Sequence, residues 1–161
     1  MAGGTGAAVA LVARLSLGAA FAVSAGAKLA RPGAFTSGLA AFGVPAPKTV
    51  ARVLPLIEGL LAAGLVALPG QAWPAFAAIG LLALLTGAVV ANLVAGRHVP
   101  CPCFRPEGAG PISAATVFRN GVLLALGILA TGPTEGAPPG PTAAAAVVAV
   151  VATVAALRRF G

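Results

Sequence analysis

Apolar residues fill most of this chain in long runs, and the polar positions that break those runs predict five buried or membrane-crossing helices. The first run covers residues 7–30 and closes on Lys28, Arg31 and Pro32. Arg14 interrupts it, nothing basic precedes it, and it is longer than a signal-peptide core, so it reads as a span and not a cleaved leader. Ser24-Ala25-Gly26-Ala27 nevertheless has the small-residue character of a cleavage site. Residues 32–48 are more polar, and Phe35, Leu39 and Phe42 at near-helical spacing predict a short helix lying at the interface.

A second run, residues 49–68, contains Pro55 and Glu58, and a Pro69-Gly70-Gln71 turn leads to the third, residues 73–95. That third run carries no charge and opens on Trp73, placed as an interfacial anchor. Gly96, Arg97 and His98 mark its end. A fourth helix is expected to start near Pro111-Ile112-Ser113, with Pro at a tolerated first-turn position and Ser or Thr available to cap, and to run to about residue 131. A fifth apolar run, 142–157, is short for a span and ends on Arg158 and Arg159. The expected fold is all-α, a polytopic membrane helical bundle. Residues 1–131 form its four-helix membrane domain, 132–141 a Gly/Pro-rich linker, and 142–161 a C-terminal apolar helix with a basic end.

Composition supports that class. With 59% hydrophobic and 8% charged residues in 161, the chain lacks the polar surface to cover a soluble domain. The net charge of +7 comes from single, scattered Lys and Arg with almost no aromatic interleaving, which argues against a nucleic-acid partner. The lipid bilayer is the first partner, and the expected location is the cell membrane, multi-pass.

Connections that follow odd-numbered spans share one side of the membrane, so the first connection and the loop after the third span emerge together. Counted from that side, Glu58 lies about 12 Å inside the second span and Arg119 at a similar depth in the fourth. A charge in the bilayer interior costs at least about 2.5 kcal/mol, so the two are expected to pair across the bundle, with Asn120 beside them. Lys28, nearer the interface, either snorkels outward or reaches toward Glu58. A helix clamp and a polar pocket that positions a substrate or relays a proton both fit this set.

The chemistry is expected in Val99-Pro100-Cys101-Pro102-Cys103-Phe104, which holds both thiols of the chain. Residues two apart in an extended, proline-restricted segment are separated by roughly 6.2 Å, near the upper limit for disulfide closure. A bond formed there is strained and easily reduced, which suits transfer of electrons more than a permanent staple. Cys101 and Cys103 are therefore the candidate redox pair. His98 reads as an interfacial polar residue or as a base that activates a neighbouring thiol. Two thiolates, with His98, also suit Cu(I), whereas zinc asks for four ligands. Quinone and Cu(I) both stay open as co-reactants, and no metal is assigned.

Basic residues concentrate on the loop side: Lys28, Arg31, Lys48, Arg52, Arg97, Arg105, Arg119, Arg158 and Arg159, against Arg14 alone near the other. By the positive-inside rule the Cys loop is cytoplasmic.

The ordered set Arg14-Leu15, Phe21, Ser24, Lys28-Leu29, Pro32-Gly33-Ala34-Phe35, Gly43-Val44-Pro45, Leu54-Pro55 with Glu58-Gly59, Cys101-Pro102-Cys103-Phe104 and Arg119-Asn120 resembles the MauE/DoxX-type membrane proteins. The closer likeness is to the MauE proteins of methylamine utilisation, over roughly residues 10–131. Members more often carry Cys-Gly-Cys-Phe-Gly, from which Pro102 and Arg105 depart. The resemblance implies a role in maturing the disulfide-rich small subunit of methylamine dehydrogenase, alongside a thioredoxin-like partner. Rival readings from the residues themselves are a membrane thiol-quinone oxidoreductase, a Cu(I)-handling protein and a structural helical scaffold.

Overall fold

The structure is a computed structural model and describes residues 2–97, 99 and 111–134. Among these it contains five helices and no strand: α1 (Ala2–Ala30), α2 (Pro32–Ala41), α3 (Pro47–Ala67), α4 (Trp73–Val94) and α5 (Ala114–Leu129). The expected C-terminal helix, residues 142–157, and nearly all of the linker lie outside the described residues. Four helices alternate in direction around a common core. α1 runs antiparallel to α3, since Lys28 meets Glu58 near one end and Arg14 reaches Leu65 near the other. The turn after α3 sends α4 back, with Gly64 facing Pro74, and α5 then packs against both α4 and α1. This is the up-down-up-down arrangement of a four-helix bundle.

Proline at the first or second position starts α2, α3 and α4, where a missing N–H costs nothing because the helix has no use for it there. Glycine stops two of them. Gly43 after α2 and Gly96 after α4 take positive φ angles of 76° and 70°, and the next residue bonds back to the carbonyl five residues earlier, Val44 to Leu39 and Arg97 to Asn92. These are Schellman endings, which a side chain at the glycine would strain. The two endings are neighbours, because a Cβ on Gly43 would lie 3.6 Å from an Arg97 guanidinium nitrogen.

The core lies between α1, α3, α4 and α5 and is built on Leu17, Phe21, Leu61, Leu65, Leu82 and Leu123, with Ala75 and Ala78 letting α4 come close. Gly127 serves the same purpose on α5, since a Cβ there would meet Ile79 at 2.7 Å. α2 falls where the Phe35, Leu39 pattern predicts a short helix, but its apolar residues turn inward. Phe35 and Leu39 pack on Ala51 and Leu54 of α3 and cover its first turns. α5 starts later than expected. Ile112 donates its N–H to the Val99 carbonyl at 3.0 Å, which draws residues 111–112 into a short extended pairing, so Ser113 caps the helix and Pro111 stays outside it.

By length and composition α1, α3 and α4 are each able to cross a membrane, and α5 is a shorter apolar helix. The chain is a multi-pass membrane protein. At 1.5 Å per residue α5 is about 24 Å long, less than the roughly 30 Å hydrocarbon core, and its last carbonyls have no donors within the helix. Arg14 supplies the missing donors. Expected near the far interface, it is 1% exposed and buried against the ends of two helices. Its guanidinium donates to the carbonyls of Ala130 at 3.1 Å, Leu65 at 3.3 Å, and Leu68 and Gln71 at 2.8 Å each. Ala130 is the C-cap of α5 and Leu68 that of α3, so one cation sits at the negative ends of two helix dipoles and satisfies orphan carbonyls of both.

Replacing Arg14 with Met leaves the Leu65, Gln71 and Ala130 carbonyls without this donor, each at a cost of order 1–3 kcal/mol, while Leu68 keeps the Gln71 N–H. Arg14→Met should therefore melt well below the parent in detergent, and Arg14→Lys, with three donors and no fork, should recover only part of the loss. A melting temperature unchanged in Arg14→Met would show that the carbonyls find other partners.

Candidate functional site

At the opposite end of the bundle from Arg14, three buried side chains on two helices form one ionic cluster. Ser24 and Lys28 are four residues apart on α1 and so share a face. Glu58 of α3 is brought to them by the antiparallel packing. The Lys28 ammonium donates to Glu58 Oε1 at 2.5 Å, to Oε2 at 2.7 Å and to Ser24 Oγ at 2.6 Å, while the Ser24 hydroxyl donates to Glu58 Oε1 at 3.2 Å. All three ammonium protons are thereby used. Lys28 and Glu58 are each 1% exposed. The Phe35 ring of α2 lies 5.4 Å from the Lys28 nitrogen and closes the cluster from the end of the bundle, adding a cation–π contact.

The partner of Glu58 thus differs from the one depth alone suggests. Lys28 holds the carboxylate and Arg119 does not appear among its ion-pair or hydrogen-bond partners; the clamp joins α1 to α3, not α3 to α5. α3 begins beyond the end of α1, so Glu58, eleven residues into α3, comes level with Lys28, two residues before the end of α1. Lys28 takes the inward one of its two expected routes.

Asn120 lies opposite, buried between α4 and α5. Its side-chain amide donates to Thr86 Oγ1 at 3.1 Å, Thr86 donates to the Leu82 carbonyl at 2.6 Å, and the Arg119 guanidinium donates to Asn120 Oδ1 at 3.3 Å. Thr86 was not singled out by sequence reasoning; the one available signal is a hydroxyl in the middle of a helix whose other polar side chain, Asn92, lies near its end. A cavity of about 20 Å³ separates the two polar groups and is lined by Ser24, Lys28, Glu58 and Asn120 together with Leu17, Ala20, Phe21, Leu82, Leu85 and Leu123. Of the expected polar pocket, Lys28, Glu58 and Asn120 therefore meet around one cavity, and Arg119 joins it through Asn120.

Cys101, Cys103 and His98 lie outside the described residues. Their flanks do not. The connection that carries them leaves α4 at Arg97 and returns through Ile112 to α5, and both flanks stand at the Lys28–Glu58 end of the bundle. The Ile112 to Val99 hydrogen bond ties the two ends of the connection together. Arg31, Lys48, Arg52 and Arg97 are exposed at this same end. Among the described residues no group of three or more His, Cys, Asp or Glu side chains could hold a metal ion.

The sequence model of the family described as methylamine utilisation protein MauE matches residues 6–132, which take in most of α1, all of α2 to α5 and the ionic cluster. The chain belongs to the MauE family. A curated relative, the methylamine utilization protein MauE of Paracoccus denitrificans, is 42% identical over 89 residues, 54% of this chain and 48% of that protein. The chain thus spans about half the length of the curated MauE it matches. No solved structure matches.

In this MauE-family bundle, removing one member of the buried pair strands the other charge. Lys28→Met or Glu58→Gln alone should each destabilise by about 3–5 kcal/mol, whereas Lys28→Met combined with Glu58→Leu should cost clearly less than the sum. Thermal unfolding of the four proteins in one detergent measures the cycle, and additive losses would show that the two side chains act separately.

Proposed function

We propose that this chain is a membrane accessory protein of methylamine utilisation that supports thiol-disulfide maturation of a client protein through Cys101 and Cys103. The observation that carries the reading is topological: the connection bearing the chain's two thiols emerges at the bundle end that holds the Lys28–Glu58 cluster, with Arg97 at its base. Membership of the MauE family supports the setting, and the name of the Paracoccus relative supports the pathway.

Exchange proceeds by attack of a thiolate on a disulfide sulfur, through a mixed disulfide that a second thiolate then resolves. Two electrons and two protons move between the pair and its client, in the direction set by their relative reduction potentials. By resemblance the client is the small subunit of methylamine dehydrogenase and the redox partner is thioredoxin-like. The bundle's part is to anchor both flanks of the cysteine-bearing connection at an end where Arg31, Lys48, Arg52 and Arg97 are exposed, and positive charge at that end favours a thiolate. The same four residues favour a cytoplasmic position for this end by the positive-inside rule, and the burial of Arg14 removes the one basic residue that counted against it.

Alkylation with a mass tag in membranes poised from oxidising to reducing should move Cys101 and Cys103 together between protected and reactive. Protection that ignores redox poise, or that appears only with Cu(I), would sink the exchange reading. An impermeant maleimide applied to sealed inverted vesicles should label the reduced pair if this end is cytoplasmic, and should fail on right-side-out vesicles.

A further inference from the structure

The cavity between the ionic cluster and Asn120 is lined by polar side chains that are themselves more than nine-tenths buried. Ser24, Lys28, Glu58 and Asn120 are between 1% and 5% exposed. Its volume, about 20 Å³, is enough to admit a water molecule.

Hydrogen-bond accounting says what such a molecule would do. Lys28 has no proton to offer, because its three go to both oxygens of Glu58 and to Ser24. Asn120 has one: its amide nitrogen carries two protons and gives one to Thr86, while its oxygen accepts from Arg119. Glu58 has the opposite surplus, since a carboxylate accepts about four hydrogen bonds and receives three here, two from Lys28 and one from Ser24. A spare donor and a spare acceptor thus face one cavity without bonding each other directly.

We propose that this cavity binds a single structural water that accepts a hydrogen bond from the Asn120 amide and donates one to the Glu58 carboxylate. The water completes a chain of polar contacts from α1 and α3 through to α4 and α5, so that all four helices of the bundle are joined by hydrogen bonds at this level. The inference stands on the geometry of the bundle and is independent of the thiol reading.

Two measurements test it. A crystal or cryo-electron-microscopy structure that resolves ordered solvent should show one solvent peak within hydrogen-bonding distance of both Asn120 Nδ2 and a Glu58 oxygen. An empty cavity, or a peak that touches only one of them, overturns the proposal. Independently, melting in detergent of Glu58→Gln, Asn120→Leu and the double variant should give a smaller drop for the double than the two single drops added, because either single change already breaks the bridge. Losses that add within error overturn it. Should a variant fail to fold, the solvent peak in the parent protein decides alone.

Discussion

A guanidinium buried in hydrocarbon has to be satisfied by protein atoms, and in this bundle those atoms are the carbonyls at which two helices stop. Arg14 fixes where α3 and α5 end relative to α1, because its fork reaches Leu65 and Leu68 on one side and Ala130 on the other. A helix as short as α5 would otherwise expose its last turn to lipid. With Arg14 in place, the short helix, the tight turn before α4 and the long α1 share one level, and the register of the other end follows from it.

That register delivers Glu58 to Lys28. The two cations of α1, fourteen residues apart, are neutralised in different ways: Arg14 by backbone dipoles and Lys28 by a carboxylate. The difference suits the two side chains, since a planar fork matches several carbonyls at once and a compact ammonium matches one carboxylate and a hydroxyl. It also separates their consequences. Backbone carbonyls are available in any sequence, so Arg14 holds architecture, whereas the Lys28–Glu58 pair depends on particular side chains and sits at the end where the cysteine-bearing connection begins.

Much of this was legible beforehand. Long uncharged runs and the Pro and Gly that break them locate the helices to within a few residues, because a bilayer permits little else. The buried charge at Glu58 was legible for the same reason. Its partner was not, since counting residues from each span's start gives depth but neither the offset between helices nor the direction a side chain faces. Arg119 matched in depth; Lys28 matched in space, because α3 starts beyond the end of α1. Arg14 carried still less signal, for its acceptors are main-chain oxygens, which leave no mark in a sequence. The inward turn of α2 was hidden in a similar way, as Phe35 and Leu39 suit a lipid surface and a helix surface equally.

The placement of both cations on the first helix bears on how the protein is made. α1 leaves the ribosome carrying two charges that it cannot neutralise itself: Glu58 follows Lys28 by 30 residues, and the Ala130 carbonyl follows Arg14 by 116. At roughly 5–20 residues per second, the second of these waits on the order of ten seconds to be synthesised. Until then the two charges on α1 lack the partners they have in the folded bundle, although the helix is long and apolar enough to cross a membrane. Final neutralisation of α1 therefore depends on segments made later, Glu58 for Lys28 and the carbonyls from Leu65 to Ala130 for Arg14.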